Sequence, residues 1–269
     1  MKDKPIVFDS SVAQNYDDLL GAFMFEPFAL DLLERSRIAS VENVLELACG
    51  TGRVTKHLSD LLPSKASLTA TDINPGMIAV AKSRVPSAEV KWETADISKL
   101  PYDDNTFDLI VCQFGIMFVP DKVKALEEIY RVLQPGGRVI FNTWGPISNN
   151  KAWQISNLVV NSFLGKEPTA IFNEGPFCMN DEKTVLHQLE VAGFKNKKAV
   201  SVRKYSEIEN ASVAAKGFII GLPTLNLIND RIPHLLPDVI EKLEEKLSMD
   251  LGDKPLRTSF QAWVFEAVK

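Results

Sequence analysis

Residues 42–52, Glu42-Asn43-Val44-Leu45-Glu46-Leu47-Ala48-Cys49-Gly50-Thr51-Gly52, run a short apolar stretch holding one carboxylate into a tight Gly-x-Gly loop. Val44, Leu45 and Leu47 predict a fully buried parallel strand, whose environment calls for apolar side chains on both faces. Glycine lets the backbone turn sharply there and lie against a ligand that a Cβ would hold off. In the residues that follow, Val54, Leu58, Leu61 and Leu62 recur at helical spacing, so the loop opens a helix. Strand, glycine loop and helix together make a βα unit of the nucleotide-binding kind.

Strand-like runs continue outward from this unit at Ser67–Thr71, Val90–Glu93, Leu109–Cys112 and Arg138–Thr143, with helical patterns over Gly76–Arg84 and Val123–Leu133 between them. Such alternation predicts a doubly wound parallel sheet. Gln134-Pro135-Gly136-Gly137 stops the preceding helix and turns the chain into the next strand. Upstream, an arm containing Ser11-Val12-Ala13-Gln14-Asn15-Tyr16 leads to a helical pattern through Phe28, Leu30, Leu32 and Leu33. Past Trp144 the alternation ends. Trp153, Leu158, Val159 and Phe163 predict a helix, a loop with Pro and Gly follows through Pro176, and Glu182–Val191 is helical again. Ala199–Tyr205 and Ser259–Val268 have strand character, the latter expected to return antiparallel, and residues 207–250 form a mainly helical insertion.

The expected fold is α/β: a Rossmann-like, doubly wound, seven-stranded sheet with an antiparallel C-terminal strand and a helical insertion or cap. One domain over 1–269 is expected, divided into an N-terminal helical arm or lid (1–41), a cofactor-binding core (42–145), substrate-side helices and insertion (146–258) and the C-terminal strand (259–269). With 269 residues and 45% hydrophobic composition, the chain is long enough for one such elaborated domain. A formal charge of −5, with Lys and Arg interspersed among Asp and Glu, supplies no basic footprint for nucleic acid. The three cysteines, Cys49, Cys112 and Cys178, stand far apart, as do His57, His187 and His234, so neither a disulfide framework nor a metal site is encoded. Met1-Lys2-Asp3-Lys4-Pro5 lacks an apolar signal core and no apolar run is long enough to span a bilayer, which leads to the expectation of a cytoplasmic protein.

Doubly wound sheets gather ligand-binding groups at the carboxyl ends of adjacent strands. This chain puts an acid near each expected end: Glu46 inside the first strand, Asp72 closing the second, and Asp96 following the third. Asp72 is suited to accept hydrogen bonds from two vicinal ribose hydroxyls. Asp96 is suited to an adenine amino group, beside the Ile97 backbone N–H. Ile73 and Met77 are spaced to flank a purine ring.

Five motifs resemble those of the class I S-adenosylmethionine-dependent methyltransferases, in the small-molecule branch related to ubiquinone and menaquinone biosynthetic enzymes. They are Val44–Gly52; Thr71-Asp72-Ile73-Asn74-Pro75-Gly76-Met77; Leu100–Asp108; Gln113-Phe114-Gly115-Ile116-Met117-Phe118-Val119-Pro120-Asp121; and Arg131-Val132-Leu133-Gln134-Pro135-Gly136-Gly137. The match covers residues 42–145, with weaker echoes on either side. The family's first loop glycine is Ala48 here, which is expected to narrow the loop slightly. The resemblance implies S-adenosyl-L-methionine as cofactor, with Gly50 and Gly52 at its methionine part, Asp72 on the ribose, and Asp96 and Ile97 on the adenine; Glu46 and Ala48 are counted among the cofactor-binding residues. It further implies that the Gln113 carbonyl reaches the cofactor amino group and that Tyr16 is a lid tyrosine. Phe114, Phe118 and Trp144 are the candidates for an apolar acceptor pocket.

The same residues admit plainer roles. Gly50-x-Gly52 with Asp72 downstream resembles a dinucleotide fingerprint, although Thr55 stands where the third glycine would be. Asp72 also fits a helix cap, Asp96 a turn residue, and Tyr16 simple packing. Phe114, Met117, Phe118, Trp144, Trp153, Phe163, Phe177 and Phe218 also fit the core, and the three histidines the surface or helix caps. A carboxylate inside a buried strand, Glu46, is harder to dismiss, because it needs partners. The function these expectations lead to is methyl transfer by in-line displacement to a small, apolar or aromatic molecule. A sulfonium methyl is already electrophilic, so no catalytic base is obligatory and none is marked. The alternatives are a sensor that binds the cofactor without turnover and a nicotinamide-dependent dehydrogenase. The helical insertion is expected to serve as a lid or as a homodimer surface.

Overall fold

Interior to the sheet lies β1 (Asn43–Leu47), whose Val44, Leu45 and Leu47 are fully buried, as an apolar run covered on both faces requires. The computed structural model describes residues 10–86, 89–165 and 171–269. The Met1–Pro5 segment and part of the loop expected before Pro176 lie outside these residues. On one side of β1 stand β2 (Ser67–Asp72) and β3 (Val90–Thr94); on the other, β4 (Phe107–Gln113), β5 (Leu133–Trp144), β7 (Leu256–Val268) and β6 (Lys195–Ile208). β7 is antiparallel to both of its neighbours, and the other pairings are parallel. The seven-stranded, doubly wound sheet with an antiparallel last strand is therefore as expected.

Strand order reverses at β1, so the crossover through α3 (Arg53–Leu61) and the one through α5 (Lys122–Val132) fall on opposite faces. α2 (Glu26–Ser36) packs on α3 and against β4 and β5; α5 packs on α8 (Glu182–Val191). Helix starts follow local capping chemistry. The Asn74 side chain accepts from Gly76 N–H at the start of α4 (Pro75–Arg84), and Asp121 and Asp181 do the same for α5 and α8. α6 (Lys151–Leu164), α9 (Ala211–Ile220), α10 (Thr224–Arg231) and α11 (Leu236–Leu251) form the later helical layer, with a four-residue α7 at Ile171–Glu174.

Two details depart from the sequence expectation. The Pro135-Gly136-Gly137 turn lies inside β5 rather than ahead of it, because Leu133 already pairs with Phe107 before the register shifts to Arg138 with Leu109. The arm is helical from α1 (Ser10–Asn15) onward, with a wide π-type stretch over Tyr16–Phe25 in which Glu26 N–H reaches back to the Gly21 carbonyl. π-type turns are uncommon and concentrate at functional sites. Among the described residues no single helix is long and apolar enough to cross a membrane.

Candidate functional site

The carboxyl ends of β1 and β4 meet the N-terminal arm at one cavity, lined by Glu46, Gly50, Gln113, Tyr16, Phe25 and Arg53 among others. Gly50 and Gly52 take the left-handed conformation, with φ of 56° and 81°. A Cβ on Gly52 would come 3.0 Å from the Ala81 Cβ, so glycine permits the approach of α3 to α4. Ala48 takes φ 51°, a conformation that costs a residue with a Cβ about 1–2 kcal/mol. The substitution thus strains the backbone rather than merely narrowing the loop. Its methyl also fills the space beside Gly115, whose own Cβ would fall 2.3 Å from it.

Asp72 closes this loop from below. One carboxylate oxygen accepts from Gly50 N–H at 2.9 Å and the other from Asn74 N–H at 2.8 Å, so Asp72 ties the start of the α4 turn to the glycine loop, whose Gly50 lines the cavity. Burial raises its pKa, opposed by those N–H donors. Glu46 is 2% exposed, and its Oε2 has no hydrogen-bond partner among the described residues. Burial, reinforced by the negative charge of Asp72 and opposed by Thr55, pushes the Glu46 carboxyl up to about 8. Near neutral pH this group is largely a neutral acid, and a cation placed against it would favour the ionised form.

The arm closes the cavity from above. Tyr16 stacks on Phe25 with ring centroids 4.5 Å apart, and burial holds its phenol well above the usual range. Gln113 Nε2 donates to the Phe25 carbonyl at 2.9 Å. Asp17 accepts from Thr51 Oγ1 at 3.0 Å and from Arg53 at 2.7 Å, and pairs with Arg84. Glu26 takes Arg53 at 2.6 Å and His57 Nε2 at 2.7 Å; burial opposes its ionisation, but these partners outweigh it and its pKa falls. Gly21 gives Arg53 its path, since a Cβ there would lie 1.9 Å from the guanidinium. The expectation for His57 is thereby corrected: it is a partner of the arm, not a free surface residue. Partners this far apart in sequence leave no local pattern, so the arm network was not foreseen; the acids Asp17 and Glu26 flanking an apolar helix were the available sign.

Toward β3, Ile73 is 66% exposed while Met77 is buried. Asp96 is exposed and its Oδ1 accepts from both the backbone and the hydroxyl of Ser98 at 2.8 Å, which is the turn role; Ile97 beside it is buried. At the ends of β4 and β5, Phe114 stacks on Trp144 with centroids 3.9 Å apart, and Phe25 and Phe28 pack on both. Trp153, from α6, extends the cluster to Phe172, Phe177 and Phe218. Phe114 and Trp144 are buried, which makes them part of a packed aromatic wall at the strand ends, and Phe118 is partly buried against the core. Asn142, unforeseen, is buried among them and accepts from Phe114 N–H at 2.8 Å. Its sign was a lone amide in the run Val139-Ile140-Phe141-Asn142-Thr143. Among the described residues no cluster of His, Cys, Asp or Glu is placed to hold a metal ion.

Residues 45–141 match the family described as "Methyltransferase domain". A demethylmenaquinone methyltransferase of Staphylococcus epidermidis is 36% identical over 137 residues, 48% of this chain and 56% of the relative. A ubiquinone/menaquinone biosynthesis C-methyltransferase of Hydrogenovibrio crunogenus is 38% identical over 141 residues, 50% of this chain and 55% of the relative. The matched part of the chain thus spans little more than half the length of these curated relatives. Among solved structures, phosphoethanolamine N-methyltransferase 2 of Haemonchus contortus with S-adenosyl-L-methionine superposes with a TM-score of 0.61 at 17% identity, over 97% of this chain and 57% of that one. At that identity the likeness concerns the fold.

Proposed function

We propose that this chain, whose residues 45–141 match a methyltransferase domain, moves the methyl group of S-adenosylmethionine to a small, apolar or aromatic acceptor. The observation that carries the reading is the buried carboxyl of Glu46, whose Oε2 has no hydrogen-bond partner among the described residues, in a cavity that Gly50 and Gln113 also line. A zwitterionic amino-acid end fits such a cradle: its ammonium between Glu46 and the Gln113 carbonyl, its carboxylate toward Arg53 and the loop N–H groups. Asp72, at the end of β2, is the ribose acceptor of this reading, and Ile73 and Met77 flank the base, with Asp96 and Ile97 at its polar edge. A backbone that must carry left-handed glycines and a strained Ala48 is held in place by Asp72, which fixes both the Gly50 and the Asn74 N–H.

The bound sulfonium supplies a methyl that is already electrophilic. What the chain contributes is alignment and exclusion of water. The arm network of Asp17, Glu26, Arg53 and Arg84 keeps Tyr16 and Phe25 over the cavity. Phe114 and Trp144 present aromatic faces at the ends of β4 and β5, where an acceptor ring displaces arm packing to meet the methyl. The names of the relatives make demethylated menaquinone- and ubiquinone-type rings the first acceptors to try. The test is turnover: full-length chain, S-adenosylmethionine and a panel of such rings, with S-adenosylhomocysteine and methylated product measured together. Product from at least one aromatic acceptor supports the reading. Cofactor binding with no product from any acceptor leaves a binding protein instead.

A further inference from the structure

We propose that Asn142 is a positioning residue for the amino-acid end of the cofactor: its side-chain carbonyl holds Phe114 in a left-handed conformation and so sets the direction of the Gln113 backbone carbonyl. The inference rests on the cofactor reading above and names a residue that reading does not use. Phe114 has φ 51°, in a region that a bulky aromatic residue avoids. Something must hold it there, and two contacts do. Its ring is stacked on Trp144, and its N–H is 2.8 Å from Asn142 Oδ1. Asn142 lies directly across the sheet from Gln113 in the β4–β5 register, so the bond clamps the strand at its exit.

The chemistry of position 142 points the same way. Asn142 is fully buried behind the apolar run Val139-Ile140-Phe141, a costly place for an amide. Its Nδ2 has no partner among the described residues, so the side chain does not serve a wider network there. The oxygen alone has a task, and the task is to pair the Phe114 N–H. Gly115 continues the constraint, because any Cβ there would meet Ala48 and the Cys112 sulfur. The ends of β1 and β4 therefore interlock, with a strained residue on each, beneath the space assigned to the cofactor ammonium.

The test compares two ligands on the full chain. S-adenosylhomocysteine carries the ammonium that the Gln113 carbonyl would receive; 5′-methylthioadenosine has the same nucleoside and lacks it. Asn142→Leu keeps the volume and removes the accepting oxygen. It is expected to weaken S-adenosylhomocysteine binding about tenfold or more, the loss of one hydrogen bond to a charged group, while 5′-methylthioadenosine binds within about twofold of the parent. Equal weakening of both ligands would mean general damage to the fold and overturn the proposal, as would no change in either. Should Asn142→Leu not fold, Asn142→Asp, which keeps an oxygen, is read against Asn142→Ala by the same ratio; loss of discrimination in both overturns it. A parent chain that binds neither ligand overturns the cofactor reading itself, and the proposal with it.

Discussion

Glu46 makes cofactor binding a proton-releasing event. With its carboxyl pushed up to about 8, roughly nine-tenths of Glu46 is protonated at pH 7. An ammonium placed against it favours the ionised form, so binding expels close to one proton, about 0.9 per ligand at pH 7, and affinity rises roughly tenfold per pH unit from about 5.5 to 7. Calorimetric titration with S-adenosylhomocysteine in buffers of differing ionisation enthalpy reads this directly, as the slope of apparent enthalpy against buffer enthalpy. In Glu46→Gln the slope should fall to near zero and affinity should drop by roughly ten- to a hundredfold, as loss of a charged hydrogen bond of about 1.5–3 kcal/mol requires. The free protein carries the converse signature. Because the folded carboxyl titrates near 8 and the unfolded one near 4.5, the native state binds more protons in that window. Stability therefore falls as pH rises through it, by up to about 1.4 kcal/mol per unit, and the Gln variant loses this dependence. Intact binding by the parent with no buffer dependence would refute the reasoning.

Further outcomes follow from the same geometry. Asp72→Ala should weaken binding roughly ten- to several-hundredfold, from one or two charged hydrogen bonds and the loop N–H groups it holds; an unchanged dissociation constant would remove it from the site. Gly115→Ala puts a methyl 2.3 Å from the Ala48 Cβ and should cost about 1–3 kcal/mol in denaturant unfolding, while a change within a few tenths would show that the β1 and β4 ends do not interlock. Trp144→Ala opens the centre of the aromatic wall and should cost about 3–5 kcal/mol, read by the same assay.

How far the sequence spoke depended on the range of the forces involved. Val44, Leu45 and Leu47 declare a buried strand by themselves, and Gly50 and Gly52 declare the loop, because both depend on residues within a few positions. The seven strands, the closing antiparallel one among them, were legible for the same reason. The end of α5 was less so, since Leu133 joins the sheet only through Phe107, a pairing that helical periodicity does not report. Glu46 was legible as an anomaly, an acid in an apolar strand, but its unpartnered Oε2 among the described residues is a three-dimensional fact. The arm's ionic grip through Asp17, Glu26, Arg53, Arg84 and His57 joins segments with no shared periodicity. Asn142 stood in plain view, and its meaning came only from the conformation of Phe114 on the adjacent strand.

Parallel calorimetric titration of the full chain with S-adenosylmethionine, S-adenosylhomocysteine and NAD tests the central claim most directly. The account predicts binding of the first two at micromolar concentrations and none of the third. Binding of NAD alone, or of nothing, would contradict it.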